Sequence, residues 1–135
     1  MQDVSVTIDR GSFFTLLGPS GSGKTTTLMM VAGFAYPTRG EVFVDGNPMA
    51  GLPPQKRELG MVFQSYAVFP HLSVFDNIAF PLQIRRARRA EIRRRVGVAL
   101  ELVRLQGYDR RLPRQLSGGE QQRVALARAL GFRPR

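Results

Sequence analysis

The chain has 135 residues, with 20 Lys+Arg against 10 Asp+Glu and a formal net charge of +10; 43% of residues are hydrophobic and 22% charged, the balance of a globular protein forming one domain or part of a larger one. It has no cysteine, which excludes a disulfide framework and a thiolate metal site. Its longest run without charge or strong polarity, Leu28 to Tyr36, is far short of the roughly 20 residues that span a bilayer, and Met1-Gln2-Asp3 opens no secretory leader, so a cytosolic protein is expected.

In chain order, Val4, Val6 and Ile8 alternate with Ser5, Thr7 and Asp9, the period of a half-buried strand. Arg10-Gly11 is a turn, and the apolar run Ser12 to Leu17 reads as a buried strand. Gly18-Pro19-Ser20-Gly21-Ser22-Gly23-Lys24-Thr25 follows and fits the phosphate-loop pattern G-x-x-x-x-G-K-[ST] at every fixed position. A helix is predicted from about Lys24 to Gly33, where glycine is a plausible terminator. Pro37-Thr38-Arg39-Gly40 is a turn, Glu41 to Val44 a strand, and Asp45-Gly46 another turn. Leu59 to Phe63 is predicted as a further buried strand, ending at Gln64.

Strand, glycine-rich turn, Lys-Thr and helix together give the loop its chemistry. Gly18 and Gly23 can adopt backbone angles closed to other residues, and Gly21 leaves room for close approach. Successive N–H groups from Ser20 through Ser22 to Thr25, with Thr26 beyond, would form an anion nest at the positive end of the helix. Lys24 would reach the outer phosphates of a nucleotide, and the Thr25 hydroxyl would ligate Mg²⁺. The competing reading is an ordinary glycine-rich turn, and the surrounding strand and helix favour nucleotide.

The second half reads as helical. Ser73 with Asp76 three residues on resembles a capping box and opens a helix through Phe80, where Pro81 is expected to break it. Ile92, Val96, Leu100 and Val103 form one apolar stripe at helical spacing. Ser117 with Glu120 is a further capping box, and Val124, Ala127 and Leu130 are predicted on that helix's inner face. Its Ser-Gly-Gly start is a second place where backbone N–H groups can meet an anion.

Charge is concentrated between Arg85 and Arg114, where eleven Arg face only Glu91, Glu101 and Asp109. Such a band suits RNA, anionic lipid head groups or an acidic partner, or is simply a solvated helix face. No aromatic interrupts Arg85 to Arg104, so the stacking platform of a single-strand binder is missing and nucleic acid is the less favoured partner.

The phosphate loop, the strand end Phe63-Gln64 and Leu116-Ser117-Gly118-Gly119-Glu120-Gln121-Gln122-Arg123 resemble three signposts of the ATP-binding-cassette (ABC) ATPases. The first is shared by many nucleotidases; the Ser-Gly-Gly signature is specific to the family, and 93 residues separate Lys24 from Ser117, a fitting distance. The stretch from Val62 to Val74 is similar to importer subunits that serve polyamine, sugar or ferric-iron systems. The resemblance implies an α/β fold: a P-loop NTPase core with an antiparallel β part, a helical subdomain and a parallel sheet left incomplete. It divides the chain into a nucleotide core 1–64, a helical subdomain 65–115, and the signature with its helix 116–135.

The resemblance also implies roles. Gln64 matches the glutamine that contacts Mg²⁺ and places the attacking water, while Lys24 serves catalysis from the phosphate loop. Ser117, Gly118, Gly119 and Glu120 match the signature that meets the ATP of a second subunit in a head-to-tail dimer. Tyr66 to Phe80 matches the region that engages membrane-embedded permease subunits. Its aromatics Tyr66, Phe69 and Phe75 would either fill a groove for a partner helix or pack the subdomain's own core; both readings stand. His71 is not the family's switch histidine. The expected location is cytoplasmic, peripheral at the inner face of the membrane, with no span of its own.

Three parts of the family pattern have no counterpart: the Walker-B Asp-Glu, expected beyond Arg135, the switch histidine after it, and the adenine-stacking aromatic upstream of Asp3. The expectation is an ATP-binding subunit, or a fragment of one, that couples ATP hydrolysis to import of a small solute and by itself hydrolyses poorly. The alternatives are a cassette protein acting on ribosomes or nucleic acid, and a non-catalytic ATP-binding fragment.

Overall fold

The computed structural model describes residues 3–131, and the chain groups into two compact units, Met1–Glu58 and Leu59–Arg135. Among the described residues no helix is long and apolar enough to cross a membrane.

Among the described residues the first unit carries one α-helix, α1 (Lys24–Ala32), a hairpin, β1 (Phe43–Val44) with β2 (Asn47–Pro48), and a short 3-10 turn at Pro54–Lys56. The strands are antiparallel, with Phe43 opposite Pro48 and Val44 opposite Asn47. The joining residues Asp45 and Gly46 have φ of 48° and 74°, the left-handed pair of a two-residue hairpin turn, so the expected turn forms. The strand itself is shorter than the predicted Glu41–Val44.

The other expected strands do not form. Val4–Ile8, Ser12–Leu17 and Leu59–Phe63 are irregular, with Phe13 97% and Leu17 89% exposed. An alternating or apolar run becomes a strand only when a neighbouring strand pairs with it, and among the described residues the one ladder is a separate hairpin at residues 43–48. The turn between the first two does form: Ser12 N donates to Asp9 O at 3.1 Å. The architecture is thus α/β with a small antiparallel part and a helical part, and no parallel strand pair among the described residues.

The second unit is built from α2 (Val74–Ile84), α3 (Arg89–Leu102) and α4 (Gly118–Gly131), each packed against the other two. Their contact faces bury Val74, Ile78, Leu82, Ile92, Val96, Leu100, Val103, Val124 and Ala127 in one cluster, and a fully buried side chain of this size contributes about 1.5–3 kcal/mol. The predicted stripe on α3 is therefore the inward face. Ser73 caps α2, its Oγ accepting from Asp76 N at 3.0 Å. The next N–H groups find loop carbonyls, Val74 N on Arg111 O at 2.8 Å and Phe75 N on Asp109 O at 3.0 Å.

Two expectations are corrected here. Pro81 does not end α2, which runs on to Ile84; one lost backbone bond is outweighed by the burial of Ile78, Ala79 and Leu82 on the same helix. Leu130 is exposed rather than inward, and Gly131 is buried instead. Seven residues after Val124 return to the same helix face, whereas six residues turn away from it.

Candidate phosphate-binding site

The loop before α1 is shaped by three glycines. Gly21 and Gly23 have φ of 80° and 92°, left-handed angles that cost other residues energy. At Gly18 a Cβ would lie 2.8 Å from Ser22 Oγ, so the loop closes on itself where a side chain would stand. Ser22 N donates to Pro19 O at 3.3 Å, completing the inner turn.

Lys24 folds back over this turn. Its Nζ donates to Gly18 O and Pro19 O, both at 2.7 Å, and to Ser22 Oγ at 3.2 Å. A single ammonium thereby gathers the carbonyls of the loop while remaining at the surface. The first intrahelical bond is Thr27 N to Gly23 O at 2.8 Å, which leaves the N–H groups of Lys24, Thr25 and Thr26 directed out of the helix start. Charge, helix polarity and backbone donors converge at one place, a combination whose electrostatics suit an anion. Thr25 and Thr26 are exposed beside it, as are Pro19 and Ser20.

The far end of α1 is fixed by a residue that sequence patterns do not single out. Arg57 is 4% exposed. Its Nη1 donates to Met30 O at 2.7 Å and Val31 O at 2.9 Å, and its Nε to Leu52 O at 2.9 Å. A buried cation on the last carbonyls of a helix answers both their unpaired lone pairs and the negative end of the dipole. Gly33 terminates the helix at φ 86°, and a Cβ there would sit 2.5 Å from Arg57 Nε. A recess of about 160 Å³ lined by Met30, Tyr36, Met49 and Arg57 lies at this end of the helix, not at Lys24.

Gln64 belongs to the second unit and is exposed. It sits in a turn closed by Tyr66 N on Phe63 O at 2.9 Å. The following residues Tyr66 and Ala67 have φ of 61° and 47°. Beyond them Asn77, fully buried on α2, holds the segment by four bonds. Its Oδ1 accepts from Phe69 N at 2.8 Å, and its Nδ2 donates to Phe69 O, Leu72 O and Ser73 O at 3.1, 3.0 and 2.9 Å. Phe69 packs on Phe80 with centroids 4.6 Å apart and the rings tilted by 53°, and Phe75 packs against the helical core. These two aromatics serve the unit's own interior; Tyr66 is half-buried and His71 exposed.

The start of α4 is a reciprocal cap. Glu120 Oε2 accepts from Ser117 N at 2.7 Å and Ser117 Oγ at 2.8 Å, while Glu120 N approaches Ser117 Oγ at 3.4 Å. The Ser117 backbone and hydroxyl bonds, with the Tyr108 hydroxyl behind them, hold the Glu120 carboxyl below its ordinary pKa. Gln121 Nε2 reaches Pro113 O at 3.1 Å, tying the approach to the helix. Ser117, Gly118 and Gly119 are exposed.

The structure therefore places Gly18 through Thr26 in one cradle in the first unit, and Gln64 and Ser117 through Glu120 in the second. Sequence patterns missed Arg57, Asn77 and Arg128. Only Asn77 carried a signal, a polar residue among the core-facing positions of an apolar helix. Within the basic band, Arg94 and Arg95 clasp Glu91 at 2.8 and 2.5 Å, and the Arg94 bond first of all pushes that carboxyl down to about 2.

The chain matches the family model described as ABC transporter over residues 1–135. It is 59% identical over 135 residues to the spermidine/putrescine import ATP-binding protein PotA of Rubrobacter xylanophilus, covering all of this chain and 36% of that protein. It is 56% identical over 132 residues to the protein of the same name from Acidothermus cellulolyticus, covering 98% of this chain and 34% of the relative. The chain thus spans roughly a third of the length of these relatives. Among solved structures it is similar to the dimeric, post-hydrolysis ATP-binding cassette MJ0796 bound to ADP and Pi, with a TM-score of 0.85 and 36% identity over 96% of this chain and 60% of that one.

Proposed function

The chain belongs to the ABC transporter family, and on that premise we propose that it supplies the ATP-binding part of an import ATPase. The observation that carries the proposal is the cradle at Lys24: an ammonium held over Gly18 and Pro19 at the open start of α1. A Cβ at Gly18 would crowd Ser22 Oγ, and left-handed glycines at 21 and 23 leave that cradle bare, which fits the phosphates of ATP. Main-chain N–H groups from Ser20 to Thr26 hold the phosphate oxygens, Gly18 and Pro19 shape the turn beneath them, and Lys24 balances their charge. The Thr25 hydroxyl and the Gln64 carboxamide are the proposed Mg²⁺ ligands, and Gln64 orients water. Mg²⁺, when bound, neutralises negative charge on the phosphate oxygens.

Ser117, Gly118 and Gly119 present a helix start to the nucleotide of a second copy, a reading supported by the dimeric state named for the similar cassette. Tyr66 to Phe80 is the proposed meeting face for membrane permease subunits, and the proposed location that goes with it is cytoplasmic, at the inner face of the membrane. The relatives' names support spermidine or putrescine as the imported solute.

The test is calorimetry of MgATP on the full-length protein. Lys24→Ala is expected to weaken binding by about tenfold to a hundredfold, the worth of a charge-assisted hydrogen bond or two. Undiminished affinity in Lys24→Ala would overturn the proposal.

A further inference from the structure

The segment that follows Gln64 is held at two places by two different helices. At one end Asn77 of α2 binds Phe69 through both its N–H and its C=O. At the other, Arg128 of α4 donates from Nη1 to Ala67 O at 2.7 Å and from Nη2 to Tyr66 O at 3.4 Å. The same guanidinium lies 5.3 Å from the centroid of the Phe69 ring, within cation–π range. Arg128 is half-buried and has no carboxylate partner among the described residues, so its desolvated charge is answered by main-chain carbonyls. Burial pushes the guanidinium below its ordinary pKa.

The geometry of the held segment adds a second observation. Tyr66 and Ala67 are successive non-glycine residues at φ of 61° and 47°, a conformation that costs about 1–2 kcal/mol per residue and persists only where surroundings impose it. Arg128 grips their carbonyls, leaving the Tyr66 and Ala67 side chains out of the bond. Arginine suits this task because its two terminal nitrogens take the two carbonyls separately while the planar group lies near the Phe69 ring; a lysine ammonium brings one nitrogen and no planar face.

We propose that Arg128 is a positioning residue: it ties the segment after Gln64 to the helix that begins at Ser117, so that a partner pressing on Tyr66–Phe69 moves the Ser117-Gly118-Gly119 start. α4 is unbroken from Gly118 to Gly131 and anchored by Val124 and Ala127, both fully buried. It therefore acts as a rigid lever of roughly 16 Å between Arg128 and Ser117. The proposal rests on the reading of Tyr66–Phe80 as the face that meets permease subunits.

The experiment uses the full-length subunit, alone and assembled with its membrane subunits, with Arg128→Lys and Arg128→Met. Hydrogen exchange is followed at residues 65–69 and along α4, and ATPase activity is measured with and without the membrane subunits. Exchange at 65–69 is expected to rise about tenfold while the buried amides of α4 stay protected. The ratio of partner-stimulated to basal activity is expected to fall about fivefold or more, with Arg128→Lys behaving like Arg128→Met. Unchanged exchange at 65–69 overturns the proposal. So does a uniform rise across α2, α3 and α4 with basal and stimulated activities falling in proportion, which marks a merely structural arginine. If the membrane subunits fail to stimulate the wild type, the functional reading falls; raised exchange confined to 65–69 still upholds the tie.

Discussion

Glu120 closes the start of α4 by taking both the N–H and the hydroxyl of Ser117. Those bonds favour the ionised carboxylate and lower its pKa in the folded chain. For a carboxyl depressed on folding, the stabilisation is fully present above the ordinary glutamate range and fades as pH falls through the lowered folded value. Glu120→Ala is therefore expected to melt below the wild type at pH 7, with the gap closing as the solution is acidified. Melting curves across pH check this, and a gap indifferent to pH would contradict it. The capping box itself was legible in the sequence because it is local, a serine and a glutamate three positions apart. The Tyr108 hydroxyl was not, since the eleven intervening residues must fold before it approaches.

The same distinction governs the elements. α1, the cap of α2 and the apolar stripe of α3 follow from spacing within a few turns, and all three appear as expected. The strands depend on partners distant in sequence, so alternation at Val4–Ile8 marks a tendency that the described residues leave unmet. Pro81 and Leu130 were misjudged because burial and helix phase, rather than residue type, decide those positions. Asn77 shows how much one such residue organises: four bonds fix the turn that leads into α2. Asn77→Ala would strand these backbone groups at a buried position and is expected to cost about 3 kcal/mol. Urea unfolding monitored by circular dichroism measures it; a loss within about 0.5 kcal/mol, the level of an ordinary surface substitution, would show that water replaces the amide.

Over the whole chain burial is uneven. The helical unit encloses a continuous cluster from Val74 to Ala127, whereas the buried apolar side chains of the first unit are Ala32 and Met49 among the described residues. Local opening tracks the amount of apolar surface held from water. Limited proteolysis of the 135-residue chain is therefore expected to cut within residues 4–17 before it cuts within 74–131, with mass spectrometry locating the first fragments. Earlier cleavage inside α2, α3 or α4 would reverse the ranking. Every side chain of the helical cluster, including the half-buried Val68 and Tyr108 at its margin, comes from the second unit. Its interior can accordingly drift through compensating substitutions among its own side chains, so relatives should tolerate the exchange of this whole set better than the exchange of its members one at a time.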